Sequence, residues 1–358
     1  MGDLLELTGL HEGARESYQR ALDRVIPDDR MTQSRLYRKA ANSWVIQRRH
    51  DEAFEYFDVA ESRLGGEPSG PDAGWWREWL QIQVDRIWLY YVRSEVAALS
   101  ALVSKVRPPL DLYGTPAQRC KFFKGLAFVA NRLDRYVVSE ETLAHARAAL
   151  TAARESGDLS LIAFAQFGLG FSHLWKGELD QAEEQLQAAL ALAERIGDVT
   201  VQSRCLTYLM MASRKRGRVG EVRDYVSRSL EIAKAGQMEE YVPYATSNLA
   251  WLAWREGDFA GVWGNGRAAI EASRRLPIRM PFEWAALWPL ICVAAAEGRT
   301  SEAVEFARAL LAPAQQRLPD ALTSLLEGTV RAEAAGRPGE ARLLLDQALS
   351  AAREEGYF

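Results

Sequence analysis

Phe164-Ala165-Gln166-Phe167-Gly168-Leu169-Gly170-Phe171-Ser172-His173-Leu174-Trp175-Lys176, then Gly177-Glu178-Leu179-Asp180, is the stretch whose reading decides the fold. Its residues predict one helix over 164–176, a turn at 177–180, and a second helix over 181–196 that stops at Gly197-Asp198. Gly170 offers no side chain where the first helix must approach the second. Ala182 and Ala189, seven apart, keep the facing helix slim, and Leu186 fills the space between them. Such small residues on both faces are what close interhelical packing requires. Gly177 supplies the left-handed residue that ends one helix and lets the chain reverse.

Working outward, the same glycine returns as a ladder. Gly177, Gly217, Gly257, Gly298 and Gly336 are separated by 40, 40, 41 and 38 residues, a period in the range of helical repeats. Partial copies of the second-helix pattern follow it: Val222 and Val226, Val262, Ala303 with Ala307 and Leu310, and Ala341 with Leu345 and Ala348. Upstream, Gly9, Ala14, Tyr18 and Ala21 mark another second helix, and Ala53, Phe57 and Ala60 one more.

These residues resemble the tetratricopeptide repeat, which has Leu-Gly in its first helix, Gly at the turn, and small, large, small residues along its second. The resemblance implies an all-α fold, an α/α superhelix of antiparallel helix pairs. The usual repeat is about 34 residues, so the longer period here implies longer helices or loops. Roughly 16 to 18 helices are expected, stacked into one right-handed solenoid.

Three segments make up that expected solenoid. N-terminal repeats occupy 1–64, a degenerate repeat with a Gly/Pro linker 65–115, and the regular array 116–358. Gly65-Gly66-Glu67-Pro68-Ser69-Gly70-Pro71 excludes helix. Beyond it Trp76, Leu80, Val84, Ile87 and Tyr91 fall at helical spacing. Arg107-Pro108-Pro109 is expected to stop the next helix, and Thr115-Pro116 to cap and begin another. Counted back from Gly9, the first repeat lacks the start of its first helix, so the chain is expected to be a fragment of a longer polypeptide or to carry a mis-assigned start.

A second resemblance rests on Pro281-Phe282-Glu283-Trp284, Leu287-Trp288-Pro289-Leu290 and Gln315-Gln316-Arg317-Leu318-Pro319. With these the chain is similar to the C-terminal helical region of large bacterial signalling proteins, in which a class III nucleotide cyclase domain and an AAA-type (STAND) ATPase module precede the repeats. It implies a regulatory, partner-sensing role, with an upstream ATPase or cyclase module among the expected partners.

Composition agrees with helices. Ala, Leu, Arg and Glu dominate, and all favour helix. A net charge of -4 across 44 basic and 48 acidic residues gives no strong field, so nucleic acid is not expected as a partner. The basic run Arg214-Lys215-Arg216 with Arg218 reads as helix-end charge complementing a dipole. Cys120, Cys205 and Cys292 lie far apart in apolar stretches, as buried free thiols in a reducing cytoplasm would. No apolar run long enough for a membrane helix occurs, so no membrane partner is expected.

Catalytic chemistry is not expected. The phosphate-cradling Gly-x-x-x-x-Gly-Lys-Ser/Thr pattern is missing, and His11-Glu12 lacks the second histidine of a zinc-protease helix. No cofactor or metal is implied. His11, His50 and His173 fall at framework positions of the repeat, and His145 on a second-helix face. Neighbouring acids such as Glu183-Glu184 point about 100° apart and read as solvated faces.

The tryptophans suggest a site, since five of eleven lie between Trp251 and Trp288. The tetratricopeptide resemblance implies that chosen first-helix positions line a concave groove. Carried over by the turn glycine, these are Phe164, Phe167, Phe171, Leu174 and Trp175; then Arg204, Thr207, Met211, Arg214 and Lys215; then Tyr244, Ser247, Trp251, Trp254 and Arg255. An aromatic groove with a cationic middle suits a protein or peptide bearing acidic and apolar groups. Two alternatives stay open: the aromatics are core, or the cavity holds a small effector as in helical-repeat transcription activators. Replacing Arg214 and Lys215 with Glu is expected to abolish capture while leaving helicity intact.

Overall fold

The computed structural model describes residues 1–7, 10–47, 49–93, 95–235, 238–276 and 280–358. Among these residues there are eighteen α-helices, one 3-10 turn and no strand. The chain is all-α and built of antiparallel, tetratricopeptide-like helix pairs. It divides into two compact units, residues 1–129 with 147–158, and residues 130–146 with 159–358. The border falls inside the stretch read as the start of the regular array, away from residues 65 and 116.

Unit 1 contains α1 (Gly2–Leu7), α2 (His11–Leu22), α3 (Arg30–Ile46), α4 (His50–Leu64), α5 (Ala73–Arg93) and α6 (Val96–Tyr113). It also takes in most of α7 (Pro116–Leu133) and the second half of α8 (Glu140–Ser156). Helices α1 with α2, α3 with α4, and α5 with α6 pack as pairs. Ala14 and Tyr18 are buried as expected, whereas Gly9 lies outside the described residues. The Gly/Pro-rich stretch after α4 is not helical, and Thr115 caps α7 in a reciprocal box with Gln118.

One sequence expectation fails here. Helix α6 runs straight through Pro108 and Pro109 to Tyr113. Each proline removes a helix hydrogen bond, but Val106 and Leu110, on either side of the pair, are both fully buried. Tertiary burial on that face outweighs the local penalty and carries the helix onward.

Unit 2 holds the ladder. Its pairs are α9 (Leu159–Lys176) with α10 (Leu179–Ile196), α11 (Val199–Lys215) with α12 (Val219–Ala235), and α13 (Val242–Glu256) with α14 (Phe259–Arg275). Two more follow, α15 (Trp284–Ala296) with α16 (Thr300–Leu310), and α17 (Asp320–Ala334) with α18 (Pro338–Glu354). The helices of the first two pairs are 17 to 18 residues long, and this length accounts for the long period. All five ladder glycines have φ between 66° and 87°, the left-handed region. Each is followed by the same wrapping bond, from Glu178 N to His173 O at 3.0 Å in the first and Arg299 N to Ala294 O at 2.8 Å in the fourth. The turn is tighter than expected, because Leu179 and Asp180 already belong to α10.

Gly170 packs where the sequence requires it. A Cβ there would stand 2.8 Å from Leu186 Cγ and 3.0 Å from Leu186 N, so only glycine lets α9 and α10 approach this closely. The first helices of successive pairs also touch one another, α9 to α11, α11 to α13 and α13 to α15. That layer carries the residues assigned to the groove.

Candidate functional site

The groove residues do come together on α9, α11 and α13, but they divide into a buried middle and two less buried ends. Toward the start of each helix, Phe164, Arg204 and Tyr244 are half-buried. The Arg204 guanidinium lies 4.7 Å over the Phe164 ring and donates through Nε to the Tyr241 hydroxyl at 3.1 Å. Farther along, Phe167, Phe171, Leu174, Thr207, Met211, Arg214, Ser247 and Trp251 are all buried. Thr207 and Ser247 spend their hydroxyls on carbonyls of their own helices, Ser203 and Pro243. Trp175, Lys215 and Trp254 are half-buried and Arg255 is exposed. Trp254 stacks on Phe259 at the next turn.

What covers the middle is the chain itself. Phe282, in the connector before α15, is 1% exposed and stacks on Trp175 at 4.4 Å with the rings 16° apart. Tyr136 meets the same ring at 4.6 Å, and Tyr208 and Tyr244 stand within 6.4 Å of it. Burial pushes the Tyr208 hydroxyl well above its ordinary pKa. The motif residues of the second resemblance hold this connector in place. Gln315 donates to Met280 O and accepts from Glu283 N, Gln316 N donates to Pro281 O, and Trp284 Nε1 donates to Gln316 Oε1. Arg135 completes the clasp by donating through Nε to Gln315 O. Arg135 and Tyr136 both take positive φ, 49° and 65°, a strained pair that this clasp fixes.

Arg214 has a different fate from the one expected. Its Nε and Nη2 donate to Tyr357 O at 3.1 and 2.8 Å, and its Nη1 to Ala285 O at 2.7 Å. Trp251 and Trp284 flank the guanidinium at 5.6 and 5.1 Å. Its bonds go to main-chain carbonyls, and burial pushes its pKa down to about 9. Lys215 lies 4.6 Å over the Tyr357 ring and is pushed down to about 8, again by burial. Charge reversal at Arg214 and Lys215 therefore cannot leave helicity untouched, because a carboxylate at position 214 would sit buried against carbonyl oxygens. The rest of the basic run is paired: Arg216 with Asp180 and Glu183, and Arg218 with Glu183 and Glu221.

Sequence reasoning missed Tyr136, Tyr208, Phe282 and Tyr357 as members of this cluster, and it missed a pocket in unit 1. That pocket, about 200 Å³ in volume, lies among α3, α5 and α7. Val45, Val84, Ile87, Trp88, Tyr91 and Phe128 form its apolar wall, with Asn42, Asp85, Lys121 and Lys124 as polar groups. Burial works to raise the Asp85 carboxyl, but Lys121 and Arg38, with hydrogen bonds from Gln81 and Asn42, outweigh it and hold the group below its ordinary value. Gly125 also lines the pocket, and a Cβ there would stand 2.6 Å from Ile87.

His173 is buried and shares a 2.6 Å hydrogen bond between Nδ1 and Glu178, and His145 lies 3.8 Å from Glu141. The three cysteines are free and buried, and burial raises all three thiols. Among the described residues no helix is long and apolar enough to cross a membrane, and no group of three metal-ligating side chains gathers.

No family model matches the chain, and no curated protein matches it in sequence. Solved structures do match. A Rap protein complexed with competence and sporulation factor superposes with a TM-score of 0.64 at 13% identity, covering 91% of each chain. NprR in complex with its cognate peptide NprX gives 0.60 at 11% identity, covering 87% of each. The STAND ATPase PH0952 from Pyrococcus horikoshii, which carries a tetratricopeptide repeat sensor, gives 0.53 at 16% identity over 82% of this chain and 43% of that one. These likenesses carry the fold. At such identities they assign no ligand.

Proposed function

We propose that the chain is a non-enzymatic, peptide-binding regulatory domain, with the inner layer of unit 2 as its binding face. The observation that carries this reading is that the face already grips non-helical segments of the chain, the turn at Phe282 and the residues after α18. Trp175 stacks on Phe282, and Arg214 donates to the main-chain oxygen of Tyr357. Main-chain bonds supplemented by aromatic pockets are the means by which extended peptides are held. The half-buried stretch at Phe164, Arg204 and Tyr244 then takes a partner with acidic and apolar groups. The complex of NprR with its cognate peptide, a structure of the same fold, supports the class of partner.

In its finer form, the domain serves as the sensing arm of a bacterial signalling ATPase or cyclase in the cytoplasm. The similarity to the STAND sensor supports the ATPase context, and the motif residues at 281–290 and 315–319 support either. The unit 1 pocket favours a second reading, a small-effector sensor. It ranks lower because about 200 Å³ falls short of the roughly 300–1,000 Å³ of ordinary ligand sites.

The test is a peptide selection on the full chain, with binding remeasured on Arg204→Gln. Enriched peptides should carry aromatic and acidic residues, and the substitution should weaken them about tenfold, the loss of one charged hot-spot contact, with an unchanged far-UV spectrum. No enrichment over an unrelated helical-repeat control would sink the proposal.

A further inference from the structure

Residues 356–358 leave α18 in a way that sets them apart from the helix. Gly356 takes φ of 73° and the Tyr357 amide donates back to Ala352 O at 3.0 Å, which ends the helix and turns the chain inward. Tyr357 and Phe358 then bury to 4% and 8% exposure. Tyr357 meets Trp284 at 5.1 Å and Trp288 at 5.8 Å, and Phe358 meets Trp288 at 6.0 Å. The side chains that anchor α18 to α17 take no part in these ring contacts. Ala341, Leu345, Ala348 and Ala352 form that anchor, so the segment can leave while the helix stays.

The receiving cleft is unusual for a protein interior. Arg214 is a buried cation whose charge is met by carbonyl dipoles and two indole faces, with no carboxylate paired to it among the described residues. If the segment left, Ala285 O would be the one carbonyl still bonded to the guanidinium, and a buried cation so exposed to loss of its acceptors is costly. The indole N–H groups of Trp251 and Trp288, both fully buried, also find no acceptor in the structure. Each such donor favours an incoming chain that brings carbonyl oxygens. The cleft is therefore suited to exchange one strand for another.

We infer that the cleft between α11 and α15 is a peptide-binding site occupied in cis by Gly356-Tyr357-Phe358, which a partner strand presenting glycine followed by two aromatic residues replaces. The inference rests on the peptide-binding reading above and adds a latch and a recognition pattern to it. Glycine is required at the first position because a Cβ on residue 356 would stand 2.7 Å from the Lys215 main-chain oxygen. The two aromatic rings follow from the Trp284 and Trp288 walls, and the main-chain oxygen from Arg214.

The latch can be sprung without deleting it. Gly356→Val places a branched side chain against Lys215 O and into a left-handed φ, which expels the segment while retaining both aromatics. The probe is a fluorescently labelled peptide of the chain's own residues 351–358, Ala-Ala-Arg-Glu-Glu-Gly-Tyr-Phe. It should bind full-length Gly356→Val at least about tenfold more tightly than wild type, the effect of removing a cis competitor. The same peptide with Tyr and Phe replaced by Ala should not bind. Full-length Tyr357→Ser/Phe358→Ser serves as a second released variant if Gly356→Val folds poorly, and should give the same gain. Equal binding to wild type and to a released variant of native helicity overturns the latch. Because the probe is the chain's own segment, this outcome is independent of whether selected peptides engage Arg204.

Discussion

Gly170 and Gly177 are seven residues apart in one helix-turn segment, yet they are glycine for different reasons, and the difference can be measured. Gly177 has φ of 87° and open space around its missing Cβ, so Gly177→Ala costs only left-handed strain, about 1–2 kcal/mol. Gly177→Asn should recover part of that loss, since Asn tolerates the region. Gly170 has an ordinary helical conformation and no space, with Leu186 Cγ at 2.8 Å. Gly170→Ala should cost about 1–3 kcal/mol by overpacking. Leu186→Ala should relieve that clash, so the double variant falls short of additivity by about 1 kcal/mol. Urea unfolding of the four chains decides it, and strict additivity would mean that α9 and α10 do not touch here. Both glycines were legible in the sequence because a cap and a close approach are local demands. The fate of Arg214 was not, because its acceptors, Ala285 and Tyr357, lie 71 and 143 residues away.

The same contrast between local and distant causes governs whole elements. Thr115-Pro116 announced the start of α7, since a cap and a proline at the first turn act within a few residues. Pro108-Pro109 misled, because the force that keeps α6 helical comes from burial of Val106 and Leu110 in the core of unit 1. If that account holds, the prolines are a burden on α6 and not its terminus. Pro108→Ala should restore a helix hydrogen bond and raise stability by about 1–3 kcal/mol, less the entropy the unfolded chain regains. A denaturation midpoint that falls would show instead that the prolines set a bend the packing needs. The connector at 280–284 is the other element the sequence disguised. Its residues stood out only through resemblance, and their role, a plug clasped by Gln315 and Gln316, depends on contacts 32 to 35 residues away.

At the scale of the whole chain, the repeat logic makes stability a sum of local pairings, so the ends of the array and its middle need not open together. Helix α1 has six residues, too few to hold alone. Met1 and Leu4 are 82% and 63% exposed, and Leu10 is 58% exposed. The apolar support of α2 is a small cluster of Ala14, Tyr18 and Ala40, separate from the large core built around Phe57, Leu80, Ile82 and Phe122. In α10, by contrast, Ala182, Leu186, Ala189 and Ala193 are all fully buried and α9 packs along the helix. Amide exchange in residues 2–22 should therefore run at least about tenfold faster than in residues 179–196, the signature of a sub-global opening at lower free energy. Ion pairs oppose this opening weakly. Lys39 bridges to Asp3 at 2.5 Å and lowers its pKa, but Asp3 is largely exposed, and such surface pairs add little. If residues 2–22 instead exchange as slowly as 179–196, the first two helices belong to the same cooperative unit as the core of the array. The small cluster at Tyr18 would then be a far stronger anchor than its size allows.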